Sequence, residues 1–180
     1  MAADDHKRAG AHGTLGMLKL GKKAASADFA ALDNLVGSEI EGPNGSRFRL
    51  VRLNKAAGLT AANAQKKVFK YSSASDTFDV EPVAATTDRP CGVGLSDQVA
   101  LSDNDLFWVQ VEGRCEVTLG DDTGDPAAGD YIDPDNDTDL GNIKTVTTTF
   151  TAGVTIGRCL EAASADGDTP MIQILHKLVG

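Results

Sequence analysis

From Ser46 onward, short segments with apolar residues at every second position recur along the chain, and no stretch of that region sustains a helical period. A chain patterned this way can bury its apolar residues only as one face of a β-sheet, so the fold is expected to be mainly β. The strongest signal is Leu106–Leu119. Phe107, Val109 and Val111 fall on one side of it and Trp108, Gln110 and Glu112 on the other. Gly113 is expected to supply a bulge or sharp bend before Cys115, Val117 and Leu119 resume the alternation.

Arg47–Leu53 reads as a half-buried strand with Phe48 and Leu50 on one face and Arg47, Arg49 and Val51 on the other. Lys67–Tyr71 and Thr77–Glu81 flank a Ser-rich turn and suit a hairpin that Pro82 ends. With Gly92–Leu95, Ala128–Ile132, Lys144–Thr151, Thr155–Glu161 and Met171–Leu178 this makes about eight short strands with turn chemistry between them, the pattern of an antiparallel barrel or sandwich. The one helix that fits this region is a short Ala-rich turn at Ala61–Lys66. The expected core is Phe48, Leu50, Val68, Val93, Val109, Val111, Val117, Ile132, Val146, Ile156, Leu160, Ile172 and Ile174.

Residues 1–45 differ. They are rich in Ala, Gly and Ser, and read as an N-terminal arm ahead of a β-domain at 46–180. A short helix fits Ala27–Val36, where Phe29, Leu32, Leu35 and Val36 fall at helical spacing before Gly37, and Gly42-Pro43-Asn44-Gly45 reads as the turn into the domain. Within the arm Lys7, Arg8, Lys19, Lys22 and Lys23 lie beside Leu15, Met17, Leu18 and Leu20, a mixed basic and apolar patch suited to docking in a groove of a partner protein.

Charge is divided unevenly. Residues 1–70 carry twelve Lys/Arg against six Asp/Glu, and residues 71–180 carry five against twenty, for a formal net charge of -9. A chain with that balance is a poor general ligand for nucleic acid, and its partner is expected to be a protein. The arm is close to neutral, so the basic excess sits at 46–70, where Arg47, Arg49 and Arg52 are expected to pair with the acidic body of a neighbouring copy.

Catalytic and cofactor motifs are missing. GxSxG, HExxH and GxxxxGK[ST] do not occur, and Gly92-Val93-Gly94 is a lone GxG. His6, His12 and His176 have no nucleophile at a catalytic spacing, and Cys91, Cys115 and Cys159 show neither CxxC spacing nor a His neighbour, so they read as buried thiols in a reducing compartment. No enzyme activity, cofactor or metal is expected. The Asp-rich stretches Asp121–Asp125 and Asp133–Asp139 suggest Ca²⁺, but an EF-hand loop begun at Asp133 has Thr138 where glycine belongs and Lys144 where the bidentate Glu belongs. They read as solvated acidic turns. The beginning of the chain has no apolar signal segment, and no run approaches the length of a membrane span, so no membrane partner is expected.

Five segments in order resemble the head decoration (cement, or capsid-stabilising) proteins of tailed bacteriophages: Phe107–Gly113, Val117–Leu119, Ala128–Ile132, Thr155–Ala162 and Ile172–Leu175, with Pro90–Gly94 upstream. In that family a "VQ-x-x-G" strand is followed by an "AGD" turn and an "IGR-x-L-x-A" strand, and the resemblance spans about residues 46–180. It implies a small antiparallel β-barrel of the β-tulip kind, a homotrimer on the outer surface of the virion capsid, with the major capsid protein as partner and stabilisation of its lattice as function. The long arm departs from compact members and is expected to carry the capsid contact through Lys7, Arg8, Leu15, Met17, Leu18, Lys19, Leu20, Lys22 and Lys23. The alternative from another class is a carbohydrate- or Ca²⁺-binding β-module of a viral fibre or cell-surface assembly, for which Trp108 and the Asp-rich turns are the pointers.

Overall fold

The computed structural model describes residues 23–25, 35–72, 78–120, 125–135, 141–146, 150–164 and 167–175. Among them the chain is mainly β, with no α-helix. The strands are β1 (Lys23–Ala25), β2 (Glu39–Glu41), β3 (Arg47–Leu53), β4 (Val68–Tyr71), β5 (Asp79–Pro82), β6 (Pro90–Gly94), β7 (Asp105–Glu116), β8 (Tyr131–Pro134), β9 (Ile143–Val146), β10 (Gly157–Cys159) and β11 (Met171–Ile174).

Five strands close a barrel in the order β3-β5-β4-β6-β7, with β7 pairing back onto β3. All pairs are antiparallel except β3–β5, whose parallel alignment follows from the β4–β5 hairpin returning to lie beside β3. Closure leaves this ring no free edge, which is how a small sheet avoids pairing with other chains. Edge-to-face packing of Phe69 on Phe107, 5.2 Å apart, anchors its interior, with Val51, Leu53, Val80, Cys91, Val109 and Val111 around them.

A second sheet grows from the far end of the same long strand. β7 pairs with β11, β11 with β10, β10 with β8 and β8 with β9. A parallel bridge from Ile143 to Leu119 then brings β9 back to the segment that follows β7. Val117, Leu119, Ile132, Ile143, Ile156, Ile172 and Ile174 pack here against Val68 and Val93 of the barrel wall. A third cluster covers the other side of the barrel, where Trp108, Leu106, Leu50 and Phe48 meet Ile40 of β2.

The change of partner along β7 has a local cause. Between Arg47 and Phe48 the β3–β7 register slips, since Arg47 faces Glu112 but Phe48 faces Gln110, leaving Val111 as the extra residue of a bulge. Gly113 follows with φ +96, and Nε2 of Gln110 donates to the carbonyls of Glu112 and Arg114, both at 2.9 Å, holding the bend. The bend expected at Gly113 is present, and a side chain there would be strained in the left-handed region.

Several expectations change. Glu39–Glu41, on the arm side of residue 45, pairs with β3, and Ala61–Lys66 is a chain of turns with no helix. Leu160, expected in the core, is 39% exposed, because within β10 Gly157 and Cys159 point inward and Arg158 outward, which leaves Leu160 outside. Both faces of β3 are buried at its centre, since barrel interior and outer cluster cover opposite sides. Val146 as a side chain, and all of the helix expected at Ala27–Val36 except Leu35 and Val36, lie outside the described residues; those two occupy a turn.

Candidate functional site

The basic strand β3 has found acids within its own chain. Arg49 is 4% exposed and points into one end of the barrel. There Nη2 and Nε donate to Oε1 of Glu39 at 2.9 and 3.2 Å, and Nη1 donates to the Tyr71 hydroxyl at 2.7 Å. Burial, together with the nearby Cys91 thiol, pushes the Tyr71 hydroxyl pKa up against the opposing pull of Arg49. Arg52 pairs with Asp79 at 2.7 Å. Arg47 reaches Glu41 at 3.2 Å, with Glu112 and Glu39 farther off at 3.8 and 3.9 Å. Lys66–Glu116 and Lys70–Asp88, each 3.1 Å, extend the pattern. Arg52–Asp79, Lys66–Glu116 and Lys70–Asp88 thus join the basic first third of the chain to the acidic remainder, while Arg47 and Arg49 find their acids in β2. Of the three arginines expected at an oligomer contact, Arg49 is withdrawn from the surface, while Arg47 and Arg52 stay partly open to it.

The arm patch is placed only at its end. Lys7, Arg8, Leu15, Met17, Leu18, Lys19, Leu20 and Lys22 lie outside the described residues; Lys23 begins β1, opposite Phe107 of β7. No helix among the described residues is long and apolar enough to cross a membrane.

Where β7 bends, an open groove of about 820 Å³ runs between the Pro43 turn, β7 and β11, lined by Phe48, Gln110, Arg114, Gln173 and Leu175. A smaller hollow of about 290 Å³ continues it past Cys115 to Met171. This trough follows from the architecture: two sheets that share one strand diverge at the bend and leave a cleft beside it. Sequence reasoning located the bend but not the groove, because the Pro43 turn and β11 that wall it lie far apart along the chain.

The acidic stretches differ along their length: Asp125 is exposed, and residues 121–124 lie outside the described residues. Asp133 and Asp135 are buried. Burial raises the Asp133 pKa, opposed by a hydrogen bond with Thr155 and by the charge of Lys144. Lys67, also buried, donates from Nζ to Oδ1 of Asn142. Among the described residues no group of three or more His, Cys, Asp and Glu side chains is arranged to hold a metal ion. Asn136–Asp139 lie outside the described residues, as do His6, His12 and His176. Burial pushes the Cys91 and Cys115 thiols up to about 12, which keeps them protonated and poor nucleophiles. Trp108 is fully buried against Leu50 and Leu106, so it offers no platform to a sugar.

No family model matches this sequence, and no curated protein matches it. Among solved structures the chain is similar to the N base of the head fibre gp8.5 of bacteriophage phi29, with a TM-score of 0.48 and 18% identity, over 74% of this chain and 97% of that one.

Proposed function

We propose that this chain is a structural protein of a tailed-bacteriophage head, made in the host cytoplasm, that binds the outside of the icosahedral shell as a homotrimer and stabilises the lattice of the major capsid protein. On this reading it is not an enzyme and needs no cofactor. The observation that carries it is spatial: of the segments that resemble decoration proteins, Ala128–Ile132, Thr155–Ala162 and Ile172–Leu175 meet in the second sheet, while Pro90–Gly94 and Phe107–Gly113 belong to the barrel, the latter joining the second sheet at Gly113. The "VQ-x-x-G" strand is β7, the "IGR" strand is β10 and the closing Ile172–Leu175 segment is β11, and they pair in the order β7-β11-β10-β8. The "AGD" turn is tied to the "IGR" strand, since the Gly129 amide donates to the Cys159 carbonyl at 2.8 Å and the Cys159 amide donates to the Asp130 carbonyl at 2.9 Å. Gly157 is required there, because a Cβ would overlap the Gln173 carbonyl oxygen. Motifs joined in this way support a common fold more strongly than the same motifs in unrelated loops.

The arm patch from Lys7 to Lys23 supplies the capsid contact, and Arg47 and Arg52 remain the part of β3 that a neighbouring copy can reach. Many weak contacts of this kind become firm when repeated over a symmetric shell. Co-sedimentation with undecorated shells tests the reading, using the full chain and a deletion of residues 1–21 that stops short of β1. The full chain pellets with shells and raises their resistance to heat; the deletion loses binding with its melting temperature and its trimer by light scattering unchanged. If the full chain stays in the supernatant, the capsid reading fails. If the deletion binds as well as the full chain, the barrel face and not the arm is the anchor.

A further inference from the structure

Across the outer face of the second sheet, one row of side chains is fixed by register. Tyr131 of β8 stands opposite Arg158 of β10, Arg158 opposite Gln173 of β11, and Gln173 opposite Arg114 of β7. Directly opposed residues in antiparallel pairs share a face. The inward neighbours of this row, Ile132, Cys159, Ile172 and Cys115, belong to or pack against the core, so the row faces solvent. Arg114 and Arg158 are exposed, and Phe150, 45% exposed, packs edge-on against the Tyr131 ring at 5.9 Å.

The charge state of this row is unlike that of β3. Arg47, Arg49, Arg52, Lys66 and Lys70 each have a carboxylate within 4.0 Å. Among the described residues neither Arg114 nor Arg158 forms such a pair, although residues 71–180 hold twenty Asp and Glu against five Lys and Arg. Arg158 is held ready: its guanidinium lies 4.7 Å from the centre of the Tyr131 ring, and Nη2 donates to the Tyr131 hydroxyl at 3.3 Å. The far end of the row, Arg114 and Gln173, opens into the groove beside the β7 bend, where Leu175 is exposed.

We propose that this row is a docking surface for an extended acidic segment of a partner protein, with Arg114 and Arg158 as its two carboxylate anchors and the Tyr131–Phe150 pair as its apolar end. One strand, β11, separates the arginines, and two inter-strand spacings put their backbones roughly 10 Å apart. Carboxylates on alternate residues of an extended segment lie about 7 Å apart, within the span of two long side chains that converge slightly. An apolar residue on the same face of the segment, two positions beyond the carboxylate at Arg158, meets the Tyr131–Phe150 pair. A nucleic acid strand is disfavoured by the chain's net charge of -9, which repels a long polyanion while leaving the local fields of Arg114 and Arg158 in force.

The surface is tested on the full chain by fluorescence anisotropy with a short labelled peptide alternating Glu and Val, its Gln–Val counterpart, and oligo-dT of equal length. The Glu–Val peptide binds in a salt-sensitive way, and R114E combined with R158E weakens it by about tenfold or more. Lys55→Glu, a charge reversal on the barrel end, leaves it unchanged. Circular dichroism and thermal melting check that the double variant folds, which two exposed substitutions should permit. No binding of the Glu–Val peptide, equal binding by the double variant, equal affinity for the Gln–Val peptide, or tighter binding of oligo-dT each overturns the proposal. The test uses no capsid, so its failure is distinct from failure of the capsid reading.

Discussion

Arg49 and Glu39 face each other across the β2–β3 pairing, so a carboxylate on the arm side of residue 45 neutralises a cation sealed in the end of the barrel. The pair adds to the backbone ladder and to the burial of Ile40 in holding the three-residue β2 against β3. Glu39 gives the guanidinium a carboxylate oxygen at 2.9 Å, beside the Tyr71 hydroxyl at 2.7 Å.

Removing one partner is therefore expected to cost more than removing both. Glu39→Ala should destabilise the chain by about 2–3 kcal/mol, while Glu39→Ala combined with Arg49→Met should recover much of that loss, because an apolar side chain needs no counter-charge. Urea denaturation of the two variants measures the difference. A double variant weaker than the single would mean that packing of the Arg49 stem, not its charge, dominates.

The inward and outward positions beside β10 should separate cleanly. Ile156→Ala empties a fully buried site and is expected to cost about 2–4 kcal/mol, whereas Leu160→Ala, on the outside, should stay within about 0.5 kcal/mol of wild type. Equal losses would place Leu160 in a core or an interface.

Gly157→Ala places a methyl group on the Gln173 carbonyl, backbone that cannot rotate away. A loss of about 1–3 kcal/mol is expected, from parting β10 and β11. Hydrogen exchange should show faster exchange at Gln173 and Ile174, with β3 unaffected. Unchanged protection in β11 would count against this close approach.

Two carboxylates, the half-buried Asp88 and the buried Asp133, should respond to pH in opposite senses. Burial tends to raise the Asp88 pKa, but hydrogen bonds from the Ala84 amide, Lys70 and the Ala85 amide outweigh it, and the net shift is downward. Its contribution is present above the ordinary carboxylate value and is lost as pH falls through its lowered one. The Asp133 pKa moves up, chiefly through burial, so a penalty accumulates as pH rises from the ordinary value through the raised one. At neutral pH Asp133→Asn is expected to raise the melting temperature and Asp88→Asn to lower it, with both differences shrinking on acidification. Thermal melts across that pH range check both signs.

Strands such as β5, β10 and β11 were legible because in each one buried position alternates with the next turned away. Arg47–Leu53 has its expected bounds, and most of the expected core residues lie inside. Period two reports one buried face, and here it falls short: the centre of β3 and most of β7 are covered on both sides, which polar residues such as Arg49 and Gln110 conceal in the sequence. Partners distant along the chain were equally hidden. Glu39 could not be matched to Arg49 by spacing, nor Asp79 to Arg52, and the row Tyr131–Arg158–Gln173–Arg114 exists only once four strands are in register. Asp133 and Asp135 carried the composition of an open turn, and it is the packing of the second sheet that encloses them.

β7 is a single twelve-residue strand that serves as a wall of the barrel before the bend and as the root of the second sheet after it. Mechanically this makes it a tie rod. Tension between the two lobes along its axis is carried by covalent backbone and by the flanking ladders loaded in shear, where several hydrogen bonds must yield together, instead of by an interface that peels open one bond at a time. Gln110, by clamping the carbonyls of Glu112 and Arg114, stiffens the rod at its one bend. A pull on the outer row at Arg114, which β7 itself carries, is therefore delivered to the barrel along one continuous backbone.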